Sequence, residues 1–105
     1  MTQIILVVDC GSSSVRCTAY DALNLTNSVI KPTSLLHEMS KEGTLHAKDV
    51  KKKVEDVIKQ CIIQLNEALG TFSIFKLGFT CFAMSWVGVD KNGEAVTPCY
   101  TVRFD

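Results

Sequence analysis

Val8-Asp9-Cys10-Gly11-Ser12-Ser13-Ser14-Val15-Arg16 is the stretch on which the reading of this chain turns. Residues 3–9, Gln-Ile-Ile-Leu-Val-Val-Asp, are β-branched and nearly all apolar, a run that suits a strand covered on both faces. The strand ends on a carboxylate. Gly11 then lets the backbone approach a ligand closely. Three hydroxyls follow, Ser12, Ser13 and Ser14, in a turn whose N–H groups would converge on one point and form an anion nest. Asp9 suits a Mg²⁺ held through water, because magnesium keeps part of its hydration shell and takes one or two carboxylates. Arg16 would add a cation near the phosphates. The same tetrad also suits a plain turn with no ligand, since Gly, Ser and Asp are common turn residues. It is not a P-loop, because no Gly-Lys-Ser/Thr follows. It is not a dinucleotide fingerprint either, which needs a helix after the glycines.

Working outward, residues 15–21 alternate. Val15, Cys17 and Ala19 fall on one side and Arg16, Thr18 and Tyr20 on the other, as in a strand with one buried face. Residues 21–24 form a turn and residues 25–30 a third strand, so the chain opens as a three-stranded antiparallel meander. Residues 31–46 carry Pro32, Gly43 and many polar groups and read as a connection. A helix is expected over residues 47–69. Val50, Val54, Val57, Ile58, Cys61, Leu65 and Leu69 make one continuous stripe, with lysines and glutamates opposite. Asp49 complements the helix dipole at the start, and Gly70 is a natural stop. Residues 75–81 form a strand that continues through Met84. Residues 86–89 and 95–102 then form a hairpin around Asp90-Lys91-Asn92-Gly93, with Pro98 marking an edge.

The 105 residues, 47% hydrophobic, suit one small globular domain over 1–105. Lysine plus arginine and aspartate plus glutamate number 11 each, so no basic excess exists to neutralise a nucleic acid. The run Lys51-Lys52-Lys53 reads as a solvated helix face. Five cysteines, at 10, 17, 61, 81 and 99, form no CxxC pair. They read as small buried hydrophobes in a reducing compartment rather than as a disulfide frame or a zinc site. No basic n-region opens the chain, and no stretch approaches the roughly 20 apolar residues that span a bilayer. The expectation is a cytoplasmic protein with no membrane partner. His37, His46, Glu38 and Glu42 read as solvated, Trp86 as sheet packing and Asp90 as a structural turn residue.

A strand, then Asp9-Cys10-Gly11-Ser12-Ser13-Ser14-Val15-Arg16, then two further strands resembles the first phosphate motif of the actin-like ATPase superfamily. As Asp-x-Gly-Ser/Thr-Ser/Thr-Ser-x-Arg it is most similar to the FGGY carbohydrate kinases. The stretch Lys76-Leu77-Gly78-Phe79-Thr80-Cys81-Phe82-Ala83-Met84-Ser85-Trp86-Val87-Gly88-Val89-Asp90 also resembles the family, where a strand after the first helix leads into a substrate loop. Polyol kinases of the family carry Gln-Arg-Glu where this chain has Phe82, Ala83 and Met84. A gluconate-kinase-like branch shares Phe82, Ser85, Gly88, Val89 and Asp90. The family's Trp-x-Asp-x-Arg is reduced here to Val102-Arg103-Phe104-Asp105.

The resemblance implies an α/β, ribonuclease-H-like partial lobe, with the 75–81 strand parallel to the first through the helix crossover. It implies phosphoryl transfer from ATP to a sugar or polyol hydroxyl. Gly11, Ser12, Ser13, Ser14 and Arg16 would meet the nucleotide, Asp9 the Mg²⁺, and Phe82, Ala83 and Met84 the substrate. The family's catalytic aspartate base, second phosphate motif and adenosine pocket fall outside these residues. The chain is therefore expected to be an N-terminal fragment, inactive alone. The alternative is a non-catalytic binding module of kinase ancestry, self-associating through uncovered sheet faces or edges.

Overall fold

The apolar run at the start of the chain forms an inner strand of a mixed sheet. In the computed structural model, which describes residues 1–82 and 84–102, this is β1 (Thr2–Cys10). It pairs antiparallel with β2 (Ser14–Asp21) from Ile4↔Asp21 to Cys10↔Val15. On its other side it pairs parallel with β6 (Phe72–Cys81), from Thr2↔Phe72 to Cys10↔Cys81, with a register shift after Ile4 that leaves Phe75 as the extra residue. The parallel pair requires a crossover, and α1 (Ala47–Leu69) supplies it.

Two short strands share the outer edge of β2. β3 (Asn24–Ser28) lies beside Tyr20 and Asp21, and β4 (Thr33–Leu36) runs beside residues 14–17, from Ser14↔Leu36 to Cys17↔Thr33. The opening meander is therefore present, but the stretch read as a plain connection contributes β4 as well as β5 (Thr44–Leu45). Pro32 limits the pattern that marks a strand to the four residues after it. β5 pairs with β7 (Cys99–Tyr100), which ties the end of the described chain back to the loop before α1.

The core lies between α1 and one face of β1 and β2. Ile4, Leu6, Val8, Val15, Cys17 and Ala19 meet Val57, Cys61 and Leu65 of the helix stripe, all at 1% exposure or less. Val50, Val54, Ile58 and Leu69 flank them. Gly70 ends the helix at φ 72°, and its N–H donates to the Asn66 carbonyl. The reading of residues 3–9 as covered on both faces needs correction. Burial along β1 alternates, with Ile5 and Val7 only half-buried and Asp9 exposed. One helix covers one face of this sheet.

The C-terminal hairpin is looser than expected. The Asp90–Gly93 turn is present: Gly93 N–H donates to the Asp90 carbonyl, and Asp90 Oδ1 accepts from the Asn92 and Glu94 N–H groups at 2.8 and 3.1 Å. The flanking residues form isolated bridges, Trp86↔Tyr100 and Val89↔Ala95, in place of continuous strands. Thr97 is one reason, because its Oγ1 takes the Gly88 N–H at 2.7 Å. β6 also stops at Cys81 instead of continuing through Met84. Met84 has φ 55°, a left-handed conformation that no strand accommodates.

Candidate functional site

The C-terminal ends of β1 and β6 lie side by side, and a loop leaves each. The first loop, residues 11–13, closes the β1–β2 hairpin. Gly11 N–H donates to the Ser14 carbonyl at 2.8 Å. A Cβ on residue 11 would sit 3.2 Å from that same carbonyl oxygen, so the tight closure favours glycine.

His37, directly after β4, holds this loop from the side. Its backbone N–H donates to the Ser13 carbonyl at 2.9 Å, and its ring Nε2 lies 3.0 Å from the Gly11 carbonyl oxygen. A neutral imidazole protonated on Nε2 donates that bond. Burial lowers the His37 pKa and nearby Lys53 lowers it further, against the opposing pull of the Gly11 carbonyl. The expectation of a solvated His37 is thereby corrected. Nothing in its local sequence marks it. Only the pairing of β4 with β2 brings it to the loop. On its other side His37 lines a cleft of about 190 Å³ with Leu45, His46 and Val50, and none of residues 11–14 lines that cleft.

Three carbonyls of the turn, those of Gly11, Ser13 and Ser14, accept hydrogen bonds from within the chain. A carbonyl engaged by a donor is not presented to an incoming anion. The Gly11 N–H is engaged as well, by the Ser14 carbonyl, so an anion nest here would draw on the serines of the turn.

Asp9 is exposed, one residue before the end of β1, on the face opposite the core. Its Oδ1 accepts a hydrogen bond from Thr80 Oγ1 at 2.9 Å. Thr80 is the residue beside it in the parallel register, and Arg16 is the residue beside it in the antiparallel one. Sheet pairing therefore places Arg16, Asp9 and Thr80 in one row across three strands, since directly paired residues project to the same face. Sequence reasoning missed Thr80, whose position depends on a register spanning 71 residues. The donors here are hard oxygens, a carboxylate and a hydroxyl. They fit a Mg²⁺ that keeps most of its water. No cluster of three or more His, Cys, Asp or Glu suited to a metal occurs among the described residues.

The second loop follows Cys81. Phe82 is half-buried and packs against the core. Met84 is 88% exposed. Ala83 lies outside the described residues, as do Arg103, Phe104 and Asp105. Trp86 rests on Tyr100, ring centroids 4.4 Å apart and tilted by 32°. The reading of Trp86 as packing within the sheet thus finds its partner. His46, Glu38 and Glu42 are exposed, as expected.

No protein-family model matches the sequence, and no curated protein does. Solved structures do. A gluconate kinase from Lactobacillus acidophilus superposes with a TM-score of 0.85 over 99% of this chain, at 14% identity. A ligand-bound xylulose kinase from the same organism gives 0.83 over 97%, also at 14% identity. A Plasmodium falciparum glycerol kinase solved with ADP gives 0.77 over 99%, at 18% identity. This chain shares its mixed α/β fold with these kinases. The likeness takes in nearly all of the 105 residues but only about a fifth of each neighbour, 20% of the gluconate and xylulose kinases and 21% of the glycerol kinase. No helix among the described residues is long and apolar enough to cross a membrane.

Proposed function

We propose that this chain is the first phosphate-loop portion of an ATP-dependent carbohydrate kinase of the FGGY kind, working in the cytoplasm on a sugar or polyol. The observation that carries the proposal is the closed turn at residues 11–14, with its carbonyls tied back by His37 and Gly11 N–H and an exposed carboxylate beside it. The fold likeness to gluconate, xylulose and glycerol kinases supports the same reading.

When bound, Mg-ATP supplies the phosphoryl group and the metal charge that neutralises it. The chain's own residues bind and orient. Ser12, Ser13 and Ser14 would hold phosphate oxygens through hydroxyl and N–H groups, Gly11 would let the phosphate approach the backbone closely, and Arg16 would add positive charge. Asp9 would hold a Mg²⁺ through its water, its carboxylate oriented by Thr80. Phe82 and Met84, with Ala83 between them in the sequence, would meet the acceptor by shape more than by hydrogen bonds. A sugar needs buried polar partners, so in this reading most of them come from outside these residues.

Phosphoryl transfer depends on orientation and charge stabilisation from both walls of a cleft. General-base assistance is typically worth about 10²–10⁴-fold. One wall acting alone leaves turnover near background. The test is a panel of sugars and polyols incubated with the 105-residue chain and radiolabelled ATP, alongside an amide chemical-shift titration with Mg-ATP. The expected outcome is no transfer and weak binding, on the order of 1 mM, with shifts centred on residues 11–14. Robust transfer abolished by Asp9→Ala would overturn the one-wall reading. Shifts absent from residues 11–14 would overturn the phosphate-loop assignment.

A further inference from the structure

Cys10 and Cys81 are direct partners in the parallel pairing of β1 and β6. They are the last residue of each strand, immediately before the two loops of the site. Neighbouring strands lie about 4.8 Å apart, inside the window of about 4.4–6.8 Å between Cα atoms that a disulfide spans. Directly paired residues project to the same face, so the two thiols lie side by side. Cys81 is exposed and Cys10 is buried. Cys17 and Cys61, also free, are sealed in the core at 0% exposure. Cys99, the remaining thiol, is buried on β7.

From this juxtaposition we infer that Cys10 and Cys81 form a reversible disulfide under peroxide, a redox-responsive clasp across the mouth of the site. The exposed Cys81 is the sulfur an oxidant reaches first. Its thiolate attacks one oxygen of hydrogen peroxide. The S–O bond forms as the O–O bond breaks, and the departing hydroxide leaves as water with one proton. The Cys10 sulfur then attacks the Cys81 sulfur. The S–S bond forms, the S–O bond breaks, and the Cys10 proton leaves with hydroxide as a second water. Two thiols are oxidised and one peroxide is reduced to two waters. Cys10 is the second partner, because it is buried and an oxidant in solution meets the exposed Cys81 first. The link fixes Gly11 and Phe82 at a set separation, joining the two loops where the strands would otherwise part. It stands on strand pairing and exposure and does not require the kinase reading.

Trypsin separates the three candidate thiols: Cys10 falls in peptide 1–16, Cys81 in 77–91 and Cys99 in 92–103. The chain is treated with hydrogen peroxide, quenched, alkylated in denaturant and digested for mass spectrometry, with a parallel count of free thiols. The expected result is peptide 1–16 joined to 77–91, with titratable thiols falling from five to three and returning to five on reduction. Cys99→Ser retains the link, and Cys81→Ser, a change at an exposed position, removes it. Four results overturn the inference: a link from 77–91 to 92–103, a 77–91 dimer between chains, Cys81 oxidised to sulfinic acid with Cys10 still free, or no loss of thiols.

Discussion

The ring Nε2 of His37 lies 3.0 Å from the carbonyl oxygen of Gly11, a residue 26 positions earlier in the chain. The same histidine donates its backbone N–H to Ser13. One residue after β4 therefore holds both ends of the turn that closes the β1–β2 hairpin. Replacing the ring with a methyl group leaves the Gly11 carbonyl to water or to no partner. His37→Ala is expected to destabilise the fold by about 1 kcal/mol, read from urea denaturation, and to speed amide exchange at residues 12–14 relative to the core strands.

The His37 pKa is lowered, chiefly by burial. The unfolded chain therefore takes up the proton first as pH falls. Stability from this group is complete above the ordinary histidine pKa of about 6.5. It is lost as pH drops from there toward the lower folded value. Melting curves between pH 7.5 and about 5 should show this slope in the wild-type chain and a smaller one in His37→Asn. Equal slopes would show that other groups govern the acid side.

The helix stripe predicts opposite outcomes for neighbouring positions on α1. Leu65 is fully buried, while Ile63 is 57% exposed. Leu65→Ala removes core contacts and is expected to cost about 2–5 kcal/mol, enough to lower the melting temperature by roughly 10 °C or more for a domain of this size. Ile63→Ala should change stability by no more than about 0.5 kcal/mol.

Two glycines near the site, Gly11 in the loop after β1 and Gly78 on β6, separate close packing from open space. At Gly11 a Cβ would meet the Ser14 carbonyl oxygen at 3.2 Å, whereas at Gly78 nothing lies within 4 Å. Gly11→Ala should destabilise the chain by about 1 kcal/mol and weaken Mg-ATP shifts at the turn. Gly78→Ala should be neutral or stabilising by up to about 1 kcal/mol, because it reduces unfolded-chain entropy. Equal effects at the two positions would remove the steric account of Gly11.

β6 is the outer strand beyond β1, and its apolar residues remain largely in water. Leu77 is 45% exposed and Phe79 60%. In the parallel register they are paired with Leu6 and Val8, on the face that α1 covers over the other strands. An open edge with exposed apolar groups favours association. Sedimentation velocity should show concentration-dependent association of the 105-residue chain, suppressed by Phe79→Lys. A monomer at all concentrations would remove this expectation.

Local patterns in the sequence determined the repeating elements. Alternation at residues 15–21, the stripe from Val50 to Leu69, Gly70 and the Asp90–Gly93 turn each depend on neighbours a few positions apart. Their physical causes, side-chain periodicity and turn conformation, are written in those few residues. The Asp9-to-Arg16 string located the candidate loop for the same reason. Tertiary structure alone decided what depends on register and coverage. That β1 is buried on one face rather than two follows from a single helix lying over the sheet, which an apolar run cannot report. His37 at the loop, Thr80 on Asp9 and Cys81 beside Cys10 arise where strands distant in the chain are hydrogen-bonded in one particular alignment. A shift of one residue would turn each to the opposite face, so these contacts belong to the assembled sheet and not to any local stretch of sequence.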